Sequence, residues 1–540
     1  MAQDEHPAKL ASKSIYDCLA EVLPVDSRFK FYYVSTPPTK CAPLFAPAPG
    51  HKPQRTYCES HFLTVSIDQP DNIGHKVLIY GIEIFVYTTR DLTTIFVAKA
   101  DSTGYLSLLG ASPTSRSSPI RTITSTFISW LVENRQRPGK RLVVSLFARA
   151  QNQYLFPGSV EHSGKHVLDD RQLVKWWCKT LDPVLRKQNP GTDEGKEGAT
   201  VANVIVPGFD KHETTAFFPP SWRNDPPDAR KWQYGHPLRD IAPIAAAPPR
   251  CLVPRFPDDP KARYLDELDE EIPDSSSSQT HCSPSKRGHG MWKSIKTLEQ
   301  FWETMAFRQE CSSGRLVGFI WIVFTPSNLS PDSQEDVLNS QGPGSPLDIE
   351  SQELPSISGL VSSQSSNTTS PKKRTTNKKR RKKLTGPIIP RQPRVKSASS
   401  NLSSRTQPED SPYWRWPESS RGQVVLDPAS YTRTHDLLLR LDFAKPEAAA
   451  SSTRKWASEV SVIAGTDQGW GRTVVGLLRG DQRADAVPTA TAAQANDISG
   501  MLVRKKRKDP PGEPAPVEIT PSVNVLAAGM VRKKPKVGKA

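Results

Sequence analysis

The sequence has no CxxC pair and no regular spacing among its seven cysteines. Structural zinc sites and disulfide frameworks need such spacings, so neither is indicated, and we expect free thiols in a reducing compartment. Long apolar runs are also missing, because the longest, Leu316–Phe324, is too short to cross a bilayer. The first residues lack the apolar segment of a secretory signal. We therefore expect an intracellular, soluble protein with no membrane partner.

Apolar residues make up only 36% of the 540 residues, and proline is abundant at 50. A chain of this composition is not packed throughout, so we expect order and disorder to alternate along it. Composition shifts divide the chain into four segments: 1–326 as the main part of a folded domain, 327–410 as a disordered insertion, 411–478 as a segment returning to the domain, and 479–540 as a disordered tail.

Positive charge is in excess, with a formal net charge of +16. This balance favours an acidic partner, either a nucleic acid or an acidic protein. The dense basic run Lys372–Lys383 predicts a nuclear import signal or a tether, unless it is merely a solvated charge block. Gly500–Lys506 is echoed by Gly529–Lys534. The two copies predict a short binding motif for an acidic surface, and chance duplication is the alternative.

Strand-like and helix-like patterns alternate in the first segment. Runs rich in Val, Ile, Phe and Tyr predict strands, and amphipathic stretches with capping residues predict helices. The predicted strands are Phe29–Val34, Phe62–Ile67, Lys76–Tyr87, Thr94–Ala98, Leu142–Phe147, Val201–Val206 and Leu316–Phe324. The predicted helices are Ile15–Leu23, Ser118–Val132, Asp169–Leu185, Leu298–Phe307 and, after the insertion, Asp436–Phe443. Such a mixture in one core indicates an α/β or α+β fold.

Two segments have groups suited to binding an anionic ligand. Lys99–Tyr105 is predicted to be a turn after a strand, whose side chains and amides could bind a ligand, although an ordinary turn has the same composition. The second begins at Ser118, where Pro119 opens a helix. Free amides at that helix start form an anion site suited to a pyrophosphate, and Arg121 adds positive charge. A plain capped helix is the alternative.

Two further segments supply aromatic and acidic groups. Trp176 and Trp177 are adjacent on a predicted helix, about 100° apart. If Trp177 faces the core, Trp176 faces a pocket wall, unless both are buried. Asp258 and Asp259 lie between prolines and close to Lys261. A carboxylate held this rigidly suits a general base, whereas a solvated acidic turn would also explain the run.

Several runs together resemble the fungal histone H3 lysine acetyltransferases of the regulator-of-Ty-transposition family. They are STPPTK, RTYCESHF, VAKADSTGY, VVSLFARAQNQYLFPGS, KHVLDD, KWWCKTLDP, PRFPDDPKARYLDEL, FWETMAFRQECSSGRLVG and VRKKPK. The likeness covers residues 15–325, 411–475 and the extreme C-terminus. It implies a fold like that of CBP-type acetyltransferases, with a central mixed sheet flanked by helices and crossed by a coenzyme-binding loop.

The resemblance also implies roles for individual residues. Asp259 would be the acid/base group, with Asp258, Asp101, Tyr154 and Trp177 close to the substrate lysine. Lys261 would be a site of autoacetylation, and no metal is implied. The co-substrate acetyl-CoA would be bound by Ala100, Ser117, Ser118, Pro119, Ile120, Arg121, Phe147, Gln151, His166, Val167, Leu168 and Trp176.

The implied function is acetylation of core-domain and tail lysines of histone H3 in the nucleus, in support of nucleosome assembly during DNA replication and repair. The implied partners are the H3–H4 pair and histone chaperones of the anti-silencing-function and nucleosome-assembly-protein types. A non-catalytic scaffold that binds histones or chaperones is the first alternative, disfavoured because Asp101 and Asp259 are present. A nucleic-acid binder is the second, disfavoured because the positive charge lies mostly in predicted disorder.

Overall fold

The computed structural model describes residues 13–69, 72–109, 118–187, 198–272, 291–308, 316–328, 407–467 and 469–479. Its helices are α1 (Ile15–Val22), α2 (Pro119–Arg135), α3 (Asp170–Arg186), α4 (Lys211–Thr215), α5 (Leu238–Ile241), α6 (Pro249–Leu252), α7 (Ala262–Glu270), α8 (Leu298–Arg308), α9 (Pro428–Leu438) and α10 (Pro446–Ala464). Its strands are β1 (Arg28–Ser35), β2 (Thr39–Cys41), β3 (Thr56–Gln69), β4 (Asn72–Thr88), β5 (Leu92–Ser102), β6 (Arg141–Arg149), β7 (Ala199–Ile205), β8 (Trp232–Tyr234), β9 (Val317–Thr325), β10 (Val424–Val425) and β11 (Arg472–Val475).

Four predictions fall outside the described residues, wholly or almost wholly. They are the insertion at 327–410, the tail at 479–540, the basic run Lys372–Lys383 and the two C-terminal repeats. They stay predictions.

The strands form one mixed sheet in the order β10-β1-β3-β4-β5-β6-β9-β7-β8, with β11 beside β1 and β2 beside β3. Most neighbours are antiparallel, whereas β5–β6, β7–β8 and β1–β10 are parallel. A parallel pair needs a long crossover, and α2 provides it between β5 and β6. The predicted α/β fold with a central mixed sheet flanked by helices is confirmed.

Side chains of the central strands alternate between two apolar cores, one on each face of the sheet. On β9, Ile320 and Ile322 belong to the core that also contains residues of α2 and α3. Phe319 and Trp321 belong to the core that contains residues of α7 and α8. Because both faces are covered, β9 is a continuous apolar run in the sequence.

Strand β5 extends beyond its predicted end at Ala98. It continues to Ser102, because Asp101 pairs with Gly81 on β4. Ala100 and Asp101 therefore lie on a strand, and the predicted turn at these positions is wrong. Gly81 allows the Phe156 ring to pack closely against the strand, because a Cβ there would lie 3.2 Å from that ring and would require it to shift slightly.

The segment after residue 407 completes one edge of the sheet. Both β10 and β11 pair with β1, and Trp456 of α10 is fully buried in the same core as residues of α1 and α2. The helix predicted at Asp436–Phe443 has the wrong bounds. Asp427 caps α9 with its side chain, so the helix begins at Pro428 and ends at Leu438. Helix α10, which Gly465 terminates in the left-handed conformation, was not predicted.

No helix in the described residues is long and apolar enough to cross a membrane. The cysteines in this part of the chain are free thiols: Cys18, Cys41, Cys58, Cys178 and Cys251. Burial raises the pKa of every one of them, to about 11 for Cys41. A raised pKa keeps a thiol protonated at neutral pH, so none of these five is activated as a nucleophile.

Candidate active site

A cleft of about 1140 Å³ opens where β5, β6, α3 and the start of α2 meet. Its lining includes most of the residues predicted to bind acetyl-CoA or the substrate lysine: Ala100, Asp101, Ser118, Pro119, Ile120, Phe147, Gln151, Tyr154, His166, Val167, Leu168, Trp176 and Trp177. Arg121 follows Ile120 on α2 but is not among the lining residues. Ser117 lies outside the described residues, and the binding role of each residue stays a prediction.

Ser118, Pro119 and Ile120 at the start of α2 line this cleft. Ser118 at the N-cap makes no side-chain capping hydrogen bond, Pro119 occupies the first helical position, and the first turn has no acidic residue. A helix start of this kind, at the positive end of the helix dipole, suits an anion. This is the arrangement that the sequence predicted for a pyrophosphate.

Aromatic side chains form an apolar wall of the same cleft. Trp177 is 6% exposed, whereas Trp176 is only partly buried, and their rings meet edge-on with centroids 4.9 Å apart. Phe147 of β6 and Leu173 of α3 add to this wall. Apolar side chains beside an anion site suit a ligand that combines an aliphatic chain with phosphates.

The Asp101 carboxylate is buried and fully engaged. Its Oδ2 accepts hydrogen bonds from the backbone amides of Tyr154, Leu155 and Phe156, at 2.7, 2.9 and 3.3 Å. Its Oδ1 accepts from Lys165 Nζ at 3.0 Å and from the amide of the following residue at 2.8 Å. Because both oxygens are occupied, Asp101 fixes the loop at 154–156. The sequence grouped Asp101 with the catalytic residues, and that role stays a prediction beside the positioning of the loop that these hydrogen bonds show.

Lys165 is a buried cation of the cleft that the sequence analysis did not single out. Its side chain is 4% exposed, and Nζ also donates to Ser159 Oγ at 2.7 Å. Gly104, at φ 88°, permits this approach, because a Cβ there would lie 2.4 Å from the Lys165 amide nitrogen. In the sequence, the feature that could have identified Lys165 is its position directly before His166 in the run KHVLDD.

A second cleft, of about 890 Å³, adjoins the first. The two clefts share wall residues: Ala98, Lys99, Phe147, Arg149, Gln151 and Tyr154. Asp258 and Asp259 line the second cleft, together with Tyr264 and Glu267 of α7. Ligands bound in the two clefts would meet at the shared wall, as a transfer between two substrates requires.

Asp259 and Lys261 form a buried ion pair beside the second cleft. Lys261 Nζ lies 2.8 Å from Oδ1 and 2.6 Å from Oδ2, and the Lys261 amide donates to Oδ1 at 2.8 Å. The Asp259 and Lys261 side chains are 1% and 5% exposed. The sequence predicted Asp259 as the acid/base group. In the structure both oxygens of Asp259 already contact Lys261, so the carboxylate is held in a buried ion pair.

Of the two neighbouring aspartates, Asp258 and Asp259, Asp258 has the exposed carboxylate. Its backbone adopts φ 53°, the left-handed conformation that Asp tolerates better than most residues. Its side chain is 63% exposed, and Oδ2 lies 3.1 Å from Lys99 Nζ. The remaining oxygen is available in the cleft. These exposures favour Asp258 over Asp259 as the base, and the role of either carboxylate stays a prediction.

Comparison with known proteins decides which family this site belongs to. Residues 15–141 and 137–459 match the histone acetyltransferase KAT11-type domain. Histone acetyltransferase rtt109 of Aspergillus flavus is 40% identical over 572 residues, which cover 96% of this chain and 98% of that protein. The chain belongs to the Rtt109 family of histone acetyltransferases. It is therefore a histone lysine acetyltransferase, as the resemblance predicted.

Other Rtt109 proteins support the same conclusion. Histone acetyltransferase rtt109 of Schizosaccharomyces pombe is 32% identical over 311 residues, which cover 56% of this chain and 69% of that protein. The crystal structure of Rtt109 from Aspergillus fumigatus aligns with a TM-score of 0.64 and 40% identity, over 86% of this chain and 99% of that one. The predicted acetyltransferase fold is thus shared with a solved member of the family.

Membership of the Rtt109 family implies acetyl-CoA as the co-substrate, and the first cleft fits it. The open helix start suits the phosphates, and the apolar wall suits the aliphatic arm. In the part of the chain that the structure describes, no group of three His, Cys, Asp or Glu side chains could hold a metal ion.

Proposed function

We propose that this acetyltransferase modifies core-domain and tail lysines of histone H3, within the H3–H4 pair that chaperones present in the nucleus. The proposed chaperones are of the anti-silencing-function and nucleosome-assembly-protein types, and the proposed role is nucleosome assembly during DNA replication and repair. The runs quoted above support the choice of histone H3. The observation that carries the mechanism is the pair of adjoining clefts. Microscopy of a fluorescent fusion tests the nuclear location.

The first cleft is the proposed site of acetyl-CoA. The amides at the start of α2 bind the phosphates, with Ser117 and Arg121 as further contacts. Phe147 and Trp176 pack against the aliphatic arm. The other proposed contacts line the same cleft: Ala100, Gln151, His166, Val167 and Leu168. Acetyl-CoA supplies the thioester whose acetyl group is transferred.

The substrate lysine enters the second cleft and must first lose a proton. A lysine ammonium has a pKa of about 10.4, so about one molecule in 2,500 is neutral at pH 7. Asp258 accepts that proton as general base. The amine nitrogen then bonds to the acetyl carbon and the carbon–sulfur bond breaks. The proton that the new amide nitrogen loses goes to the leaving thiolate, so the coenzyme departs as a thiol. Neither cleft is lined by a cysteine among the described residues, which favours direct attack over an acyl-enzyme.

Autoacetylation of Lys261 is part of the same proposal. The acetyl group would remove the positive charge that pairs with Asp259, so the modification changes a buried contact beside the second cleft. Mass spectrometry of protein incubated with acetyl-CoA is expected to find acetylated Lys261. The acetylated peptide should disappear in Lys261→Arg. An active preparation in which Lys261 stays unmodified would contradict the assignment.

Capture of chaperone-bound histones is proposed for residues 500–540, which contain the two repeats. We expect deletion of 500–540 to leave acetylation of a free histone H3 peptide unchanged. The same deletion should lower acetylation of the chaperone-bound H3–H4 pair, because a tethering segment raises the effective concentration of the substrate without acting in the chemistry. Steady-state rates on the two substrates give the comparison.

Deletion of residues 509–528, between the repeats, is the matched control and should spare both rates. Equal losses on both substrates after the full deletion would make the tail part of the catalytic fold. No loss on either substrate would show that the tail is dispensable. A higher rate on another core histone than on histone H3 would contradict the proposed substrate.

A further inference from the structure

A chain of polar contacts leads from the second cleft into the protein interior. Asp258 Oδ2 lies 3.1 Å from Lys99 Nζ, and the same Nζ lies 3.3 Å from Oε2 of Glu83. On the other side of Glu83, the Tyr431 hydroxyl donates a hydrogen bond to Oε1 at 2.9 Å. Tyr431 belongs to α9, so the chain connects the segment after residue 407 with the exposed carboxylate of the active site.

A β-bulge places Lys99 opposite Glu83. The register of β4 and β5 shifts so that Ile84 pairs with Val97, whereas Glu83 pairs with Lys99. Ala98 is the extra residue on β5. Bulges re-aim the side chains that follow them and are frequent next to active sites. This one brings a cation to the wall that the two clefts share.

Burial and charge show that Lys99 is a fixed cation. The exposed fraction of the side chain rises along the chain, from 3% for Glu83 to 20% for Lys99 and 63% for Asp258. Burial lowers the pKa of Lys99, but the negative charges of Glu83 and Asp258 outweigh this and hold the pKa above its ordinary value. Glu83 therefore holds the Lys99 ammonium ion from the interior, and the same ammonium ion pairs with Asp258 on the cleft side.

His435 of α9 is the other titratable group close to Glu83, with Nε2 3.5 Å from Oε2. Burial lowers the pKa of His435, and Glu83 offsets this only in part. The imidazole is therefore neutral at pH 7 and does not replace Lys99 as the partner of Glu83.

We propose that Lys99 is the positioning residue of the transfer site, and that Glu83 and Tyr431 hold it in place. Its ammonium ion fixes the Asp258 carboxylate at the junction of the clefts, where the substrate amine is deprotonated. The segment after residue 407 thereby contributes to catalysis without lining either cleft. This inference rests on the proposed general-base role of Asp258.

The test compares Lys99→Met with Lys99→Arg in the full-length protein, with histone H3 and acetyl-CoA as substrates. We expect Lys99→Met to lower kcat by at least about tenfold and to leave KM for acetyl-CoA within about threefold, because misplacing a base affects the chemical step more than binding. Lys99→Arg keeps the charge and should retain a higher kcat. Equal kcat values for the two variants would overturn the proposal.

A double-mutant cycle separates positioning from a general structural effect. If Lys99 acts through Asp258, then Lys99→Met added to Asp258→Asn should change kcat by no more than about twofold. If adding Lys99→Met to Asp258→Asn lowered kcat by as much as Lys99→Met does alone, the proposal would be overturned. Lys99→Met combined with Glu83→Gln leaves no unpaired buried charge, so it should fold well and still show the low kcat. A normal kcat in this variant would also overturn the proposal.

Tyr431→Phe tests the inner end of the chain against a matched variant. Tyr33 is also buried, and its hydroxyl lies 2.6 Å from Nδ1 of His61, outside the chain of contacts that joins Asp258 to Tyr431. Both changes remove one buried hydroxyl, so similar losses of thermal stability are expected. Only Tyr431→Phe should lower kcat, by about threefold or more. Equal effects on kcat would overturn the role of Tyr431. If the protein without any substitution showed no acetylation of histone H3, that result would instead count against the proposed function.

Discussion

Asp258→Asn is expected to lower kcat for histone acetylation by about 100-fold or more, the usual contribution of a general base. The amide cannot accept the proton of the substrate ammonium. The change should leave the temperature of unfolding nearly unaltered, because the Asp258 side chain is 63% exposed and its partner Lys99 still has its ion pair with Glu83. Steady-state kinetics and calorimetry on the same preparation measure both quantities.

The neighbouring change Asp259→Asn is the informative comparison, since it makes the same chemical alteration one residue away. It leaves the Lys261 ammonium buried without its counter-ion, and breaking such a pair destabilises a protein by about 3–5 kcal/mol. We therefore expect a clear fall in the unfolding temperature for Asp259→Asn. If Asp259→Asn were stable but inactive while Asp258→Asn kept full activity, the general base would be Asp259 and not Asp258.

Asp101→Ala is expected to reduce stability and activity together. The change removes the acceptor of three backbone amides at 154–156 and leaves Lys165 buried without a counter-ion. Loss of the ion pair alone is expected to destabilise the protein by about 3–5 kcal/mol. The loop at 154–156 borders the first cleft, so acetyl-CoA binding should weaken as well. Thermal unfolding and titration calorimetry with acetyl-CoA measure the two effects.

Two further variants test the cause of that loss. Asp91 pairs with Lys140 at 3.2 Å, close to the 3.0 Å of the buried pair, but its side chain is 37% exposed. Asp91→Ala should therefore cost less than about 1 kcal/mol. Asp101→Asn combined with Lys165→Met removes both charges and should regain much of the stability lost in Asp101→Ala. If Asp101→Ala lowered the free energy of unfolding as little as Asp91→Ala, the buried contacts of Asp101 would not be what holds the loop at 154–156.

Local patterns in the sequence predicted most elements of the fold, because caps and apolar periodicity act within a few residues. The start of α2 was predictable from Ser118 and Pro119 alone. The end of β5 was not, since Lys99–Ser102 has the polar composition of a turn and becomes strand through pairing with β4. Helix α10 was missed although Pro446 and Gly465 mark its ends.

The roles of the acidic residues depend on partners that the sequence does not bring together. Asp101 differs from an ordinary turn residue because Lys165, distant in sequence, binds it in the fold. Lys261 was visible beside Asp259, but a two-residue spacing does not show that the pair is buried against the Phe319 ring. The clustering of the cleft residues could be inferred only through resemblance to the family.

The central claim is that the coenzyme and the histone lysine occupy the two clefts and meet at their shared wall. A crystal structure with a bisubstrate compound, in which a histone H3 lysine is joined to coenzyme A through an acetyl bridge, tests it most directly. The account predicts the phosphates at the start of α2 and the lysine in the second cleft, with its nitrogen about 2.6–3.2 Å from the Asp258 carboxylate. A lysine that reaches the coenzyme by another route, with Asp258 out of contact, would contradict it.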